Sequence, residues 1–349
     1  KDEKYLNYGL NLLKKIINFS FDVQGFPRSR NLRQLIFYLK YFILIREWLK
    51  ESQNEIPEYL NEIIFYLGQN YNFIWQNTNQ NLLFNGNQIN QNNDFDRYLS
   101  FHNYKFKNES NEYGGYVILK NKNVILSADL GSSPEKKFSN DYQSGALSFE
   151  IFFNNCKLIS NCGYFQNYKH QLNSISKSTA THSTMILDNR SSCKLKKDSD
   201  GIFKVDQELK ILKKSVTFEK KYWNISGSHD GYLKKYGVIH ERKIEFFIEK
   251  NKFIGTDKLI KNKKFKSSNF EIRFHFEPGV KITKTQDEKS ILVELENSGW
   301  KFSCKGHKID VETGLYFGKK NSFVENQNIF ISGLTQNEDQ EIVWEIIKI

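Results

Sequence analysis

From about residue 113 to its C-terminus, the chain alternates apolar and polar residues in short runs separated by polar turns. A period of two belongs to strands, whose successive side chains point to opposite faces of a sheet. Gly114-Gly115 precedes Tyr116-Val117-Ile118-Leu119, and Lys122-Asn123 turns into Val124-Ile125-Leu126. Further strands are expected over 147–153, 183–188, 215–220, 238–249, 270–277, 290–295, 313–317, 327–332 and 341–348. Many strands at short spacing, with no helix between them, predict a large antiparallel β-sandwich.

The first ~80 residues follow the helical period instead. Leu32, Leu35, Ile36, Leu39 and Ile43 mark one face, with Ser29 or Asn31 available as the cap. A second helix is expected from Pro57, through Leu60, Ile63, Ile64, Leu67, Tyr71 and Ile74. A third runs over 5–18, with Leu6, Leu10, Leu13 and Ile17. Residues 76–95 turn rich in Asn and Gln, and Asn85-Gly86 is a turn signal. The layout is α+β: a helical part over 1–105 and a sandwich over 106–349. A length of 349 residues accommodates two such units.

Composition excludes several classes. Aromatic residues make up 15% of the chain, which rules out a disordered polymer. The four cysteines have neither zinc-knuckle spacing nor the density of a disulfide scaffold. No apolar run approaches the ~20 residues of a membrane span; Lys40 interrupts the best candidate, Leu35 to Ile45. Lys and Arg total 51 against 40 Asp and Glu, a net +11 that raises encounter rates with polyanions. Part of that surplus follows the bias toward Asn, Lys, Ile and Phe, and the scattered lysines read as a solvated face. There is no Walker loop, strand-linked GxGxxG, HExxH, CxxC or GxSxG. Met185 is the only methionine, so a native start upstream of Lys1 is expected.

Seven histidines are few enough to weigh singly. His102, His170 and His307 read as structural. His182 lies in Ser178-Thr179-Ala180-Thr181-His182-Ser183-Thr184, and His229 in Ser228-His229-Asp230-Gly231-Tyr232, a turn-like pentapeptide between strands. Small polar neighbours at a strand edge let an imidazole reach a cleft, so both are catalytic candidates, with Tyr232 beside them. The second segment supports two readings equally. Either Asp230 orients a working His229, or Asp-Gly is a turn and Tyr232 covers the sandwich edge.

In order along the chain come Leu147-Ser148-Phe149-Glu150, Ile159-Ser160-Asn161-Cys162-Gly163 and the His182 segment. After them come the His229 segment, Tyr236-Gly237-Val238-Ile239-His240-Glu241-Arg242, Phe274-His275-Phe276-Glu277-Pro278-Gly279-Val280 and Ile342-Val343-Trp344. In this series the chain resembles the heparinase II/III-like family of polysaccharide lyases over about residues 110–349. Upstream, Gly25-Phe26-Pro27-Arg28-Ser29-Arg30-Asn31 resembles the family's segment in its helical domain. The resemblance implies a partial α/α toroid before the sandwich, with its earlier helices upstream of this chain. It also implies a periplasmic or envelope location.

The implied chemistry is β-elimination at a uronic acid. Such a reaction needs a group that neutralises the carboxylate, a base for the C5 proton and an acid for the leaving O4. The resemblance places His182 at the site, with Arg30 and Asn31 contacting the uronate. Many members carry a structural metal, and the positions of its ligands fall at Gln143, Asn161 and His182. Amides are poor zinc ligands, so no cofactor is expected, and a hydrogen-bonded cluster is expected in its place. The partner expected is therefore an acidic polysaccharide, with no membrane span. Two readings follow: a polysaccharide lyase, or a catalytically altered protein that binds acidic glycan or assists envelope assembly. Nucleic-acid binding has only the charge behind it.

Overall fold

The computed structural model describes residues 2–89 and 93–349. Three long helices come first: α1 (Asp2–Ser20), α2 (Leu32–Glu51) and α3 (Glu58–Tyr71). Asn31 caps α2, its side chain accepting from Arg33 N, while Pro57 sits at the cap position just outside α3. A π-helical turn over Asn72–Gln76 extends α3. A short helix, α4 (Asn93–Phe101), follows within the Asn-rich stretch, where no helix was expected.

The rest is mostly antiparallel sheet. Strands β1 (Glu112–Tyr113), β2 (Tyr116–Lys120), β3 (Val124–Asp129), β4 (Phe149–Phe153) and β5 (Cys156–Ile159) pair in order as one sheet. Then come a short helix, α5 (Gln171–Ser176), and β6 (Met185–Leu187), β7 (Lys194–Lys197), β8 (Phe203–Gln207), β9 (Ile211–Phe218), β10 (Tyr222–His229), β11 (Val238–Phe247), β12 (Lys252–Lys261) and β13 (Asn269–His275). Finally come β14 (Lys281–Lys284), β15 (Ser290–Leu295), β16 (Ser298–Cys304), β17 (Lys308–Tyr316), β18 (Val324–Leu334) and β19 (Gln340–Lys348). An eight-stranded sheet has the order β14-β15-β16-β19-β12-β11-β10-β9, a four-stranded one β17-β18-β13-β6, and β7 and β8 form a hairpin.

The five-stranded sheet is buried on both faces, and its sequence shows why. In β2, Tyr116 and Ile118 pack with the helices, and Val117 and Leu119 pack into the sandwich. Ile125 and Phe152 repeat the first side, and Val124, Leu126, Phe149 and Ile151 the second. Two covered faces turn an antiparallel strand into a continuous apolar run. Opposite lies the eight-stranded sheet. Phe149 stacks on Trp344 at 5.5 Å between ring centres, and Phe274 meets the same indole edge-on at 4.9 Å. The five- and four-stranded sheets thus form one layer, joined where Ser160 N donates to His275 O at 2.8 Å.

Candidate functional site

The loops between β3, β4 and β6 meet the start of α2 at the helix–sandwich junction, and most of the candidate residues gather there. Arg30 is enclosed. Its Nη2 pairs with Asp129 Oδ1 at 2.6 Å, its Nε donates to Gly114 O and its Nη1 to Ser132 O. Asn85 Nδ2 donates to the second Asp129 oxygen and to the Tyr116 hydroxyl, which itself donates to Arg30 O. Burial opposes charge on Arg30, but the Asp129 carboxylate outweighs it and holds the guanidinium pKa above its ordinary value.

Asn31 is equally committed. Its Oδ1 caps α2, and its Nδ2 donates to Asp141 Oδ2 at 2.8 Å. Its amide also packs over Gly86, where a Cβ would lie 2.7 Å from Nδ2 and φ is +76°. Gln143 closes the network: Oε1 accepts from Gly86 N, and Nε2 donates to Gly163 O and Ser176 O. Arg30, Asn31 and Gln143 are therefore brought together, but as structural ties with their polar atoms already used.

Asn161 and His182 sit beside one another in an adjoining buried pocket. Asn161 Oδ1 accepts from Ser183 N at 2.9 Å, which leaves its Nδ2 unpartnered. His182 lies 2.9 Å from Ser178 O through Nδ1, so that nitrogen carries the proton. Its Nε2 lone pair is free, and the ring is only 1% exposed. Burial pushes its pKa down to about 4, so the imidazole is neutral at neutral pH. Gly145 makes room for it, since a Cβ there would stand 2.5 Å from the ring.

A tetrahedral zinc site needs lone pairs from His, Cys or carboxylate. Gln143 has both ends of its amide occupied, and Asn161 has only a donor left over, so His182 Nε2 is the single free lone pair of the three. Among the described residues, no three His, Cys, Asp or Glu side chains converge. The residues present do not fit zinc.

His229 and Tyr232 lie in the sandwich, away from that junction. His229 is the last residue of β10 rather than part of a turn, because the turn begins one residue later, at Asp230-Gly231. Its Nδ1 accepts from Gly231 N, so Nε2 carries the proton toward His240 Nδ1 at 3.3 Å. His240 passes the chain on to Asp257 Oδ1 at 2.6 Å. Arg242 grips the same carboxylate with two nitrogens, and Trp344 Nε1 adds a fourth hydrogen bond. All of these groups are buried. Tyr232 OH donates to Met185 O at 2.8 Å, which ties α6 (Leu233–Tyr236) to β6. Neither side chain has a free atom to offer a substrate.

One residue of the Gly25–Asn31 segment passed over as a binding group stands differently. Arg28 is exposed and spends only its Nε, on Phe21 O. It lines a 630 Å³ cleft at the junction with Lys213, Lys214 and the 130–134 loop. Lys214 pairs with Glu112, whereas Lys213 has no such partner among the described residues. The sequence signal for Arg28 was its place two residues before Arg30.

The family model of the heparinase II/III-like C-terminal domain matches residues 107–345. Among solved structures, the chain is similar to the heparan sulfate lyase HepC of Pedobacter heparinus, with a TM-score of 0.78 and 13% identity over 99% of this chain and 56% of that one. A heparinase III gene product matches with a TM-score of 0.79 and 15% identity over 98% and 55%. A further heparinase III gives 0.78 and 14% over 99% and 58%. The chain thus spans little more than half the length of these structures, and at such identity the likeness is one of fold. No curated protein matches it. With the family match covering the whole sandwich, the chain belongs to the heparinase II/III-like C-terminal family.

Proposed function

We propose that this chain is part of a polysaccharide lyase-like protein that acts on a uronic-acid-containing polysaccharide by β-elimination. The observation that carries the reading is the family match, joined to a cleft at the junction with the free cations Arg28 and Lys213. An arginine with two unspent nitrogens grips a carboxylate in two-pronged fashion and offsets the charge that develops when the C5 proton leaves. In this reading Arg28 takes the uronate-binding role first assigned to Arg30 and Asn31. Among His182, His229 and Tyr232, only His182 keeps a free lone pair, but it is enclosed and none of the three lines the junction cleft, so this reading gives them no proton step.

Helices α1–α3 are, in the same reading, the last hairpins of an α/α toroid, and the units divide at 105/106. The exposed Tyr5, Tyr8, Leu12, Ile16 and Phe19 of α1, with Trp48 of α2, are the surface earlier hairpins would cover. No described helix is long and apolar enough to cross a membrane, and an envelope or periplasmic setting suits a polymer substrate. We further propose that the Gln143–Asn161–His182 cluster works without zinc. Prolonged dialysis against a chelator is then expected to leave the thermal midpoint unchanged, and metal analysis to find far less than one zinc per chain. A midpoint that falls with chelation and returns with zinc would refute it.

A second reading is favoured by one observation. Arg30, Asn31, His229 and Tyr232 all spend their polar atoms inside the protein. That suits a protein that holds acidic glycan without cleaving it. The test is to incubate the protein with heparan, chondroitin, hyaluronan and alginate types and follow absorbance of the 4,5-unsaturated product. A rise that vanishes in Arg28→Ala supports the lyase. No rise, with binding retained, selects the glycan-binding protein.

A further inference from the structure

A 940 Å³ groove runs between residues 174–178, the β7–β8 hairpin and α6, and it shares no lining residue with the junction cleft. Five cations line it, Lys177, Arg190, Lys194, Lys234 and Lys235, against two carboxylates, Glu208 and Asp230. Lys194 is neutralised by Asp206 at 2.7 Å. Arg190 and Lys234 are exposed, and their side chains have no ion pair or hydrogen bond among the described residues. Lys235 lies 5.1 Å from the centre of the Tyr236 ring.

Lys177 is the unusual member. It is fully buried, and its ammonium is held by the carbonyls of Asn140 and Phe203, with no carboxylate paired to it. Burial brings its pKa down to about 8, against the longer-range pull of Asp141 and Asp198. Arg190 opposes charge on Lys235, which Asp188 partly offsets. An anionic ligand beside Arg190 and Lys235 would relieve that repulsion. The remaining lining suits a sugar: the half-buried Phe203 offers a ring, and the Ser191 hydroxyl accepts from Thr179 N with no described acceptor for its own proton.

We propose that this groove is a second binding site, in which the sulfate or carboxylate groups of an acidic polysaccharide meet Arg190, Lys234 and Lys235 while a sugar ring lies along Phe203. The proposal rests on the acidic-glycan reading above and adds to it a place for the chain of sugars beyond the junction. A long polymer would touch both clefts, and two linked contacts hold it more tightly than either alone.

The test is calorimetric titration of the full chain with size-defined heparan sulfate, chondroitin sulfate and alginate oligosaccharides. It compares wild type with two variants, Arg190→Ala/Lys234→Ala/Lys235→Ala and Arg28→Ala/Lys213→Ala. The substituted side chains of the triple variant have no hydrogen bond or ion pair to lose, so it is expected to fold as wild type. We expect its affinity for the best ligand to fall by about tenfold or more, with a shallower dependence of affinity on salt. Wild-type affinity in the triple variant, with loss confined to the Arg28/Lys213 variant, would overturn this site and leave the glycan reading standing. Displacement of the sugar by inorganic polyphosphate of equal charge, as readily as by the sugar itself, would reduce the groove to a charge-only surface and overturn it too. Failure of wild type to bind any of the oligosaccharides would sink the site together with the reading it rests on.

Discussion

Asp257→Asn is expected to lower the unfolding free energy by about 3–5 kcal/mol, the cost of leaving a buried charge without its partner. The carboxylate accepts from Arg242 through Nε and Nη2, from His240 Nε2 and from Trp344 Nε1, and all four side chains are buried. An amide of the same shape has one acceptor oxygen and adds an NH2 that faces other donors. Arg242 would then be a buried cation tied only to the carbonyls of Leu147 and Ser183. These carbonyls belong to β4's approach and to the His182 loop, so the damage reaches the junction. Urea unfolding of wild type and variant measures the effect. A loss no larger than that of Lys221→Ala, which removes an exposed pair with Glu249, would show that the network is not holding the sandwich.

The same network explains what the sequence hid. Strand β11 was legible because its buried positions include Val238, Ile244 and Phe246. Strand β12 alternates just as regularly, but its inward side chains are Phe253, Gly255, Asp257 and Leu259. Two of those four are not apolar. Gly255 is there because the Trp344 indole lies over it, 1.9 Å from where a Cβ would be, and Asp257 because Arg242 needs a partner. Strand β10 was lost to the same cause, with Gly227 and His229 on its buried side. A period of two read from apolar residues fails where a sheet buries a polar network.

At the junction, residue type was legible and commitment was not. Arg28 and Arg30 are equally basic in the sequence, and both lie in Gly25–Asn31. Only the fold brings Asp129, 99 positions away, against Arg30 and leaves Arg28 facing a cleft. His182 was set apart from His102, His170 and His307 by its small polar neighbours alone. Its enclosure depends on Gly145 and Asn161, whose approach no local pattern encodes. The basic groove was invisible for a similar reason, since Lys177, Arg190 and Lys235 come from separated segments of the chain.

Acid is expected to unfold this protein well before its carboxylates titrate. Burial holds the pKa of His182 down to about 4 and that of His275 to about 3, with Arg273 adding to the second. His229 and His240 are lowered as well, burial being the largest cause in each and Arg242 opposing charge on both. In the unfolded chain these rings titrate near ~6.5. Below that value the unfolded state binds more protons than the folded one, so stability falls as pH falls, and it goes on falling until the folded pKa is reached. Each ring contributes a slope of about 1.4 kcal/mol per pH unit, so His182 alone removes about 3 kcal/mol by about pH 4. Glu150, whose carboxyl burial pushes up, acts in the opposite sense, but only once the pH nears the carboxylate range. Urea midpoints should be nearly flat between about pH 7 and about pH 8, where the buried Lys177 ammonium begins to give up its proton and so to favour the folded state, and drop steeply between about pH 6.5 and about pH 5. His275→Gln should make that drop shallower, because the glutamine amide keeps a partner for Asn328 while removing one of the titrating rings. Midpoints that hold level down to about pH 5 would mean that the rings accept protons where they lie, and that the pockets around His182 and His275 are open to water.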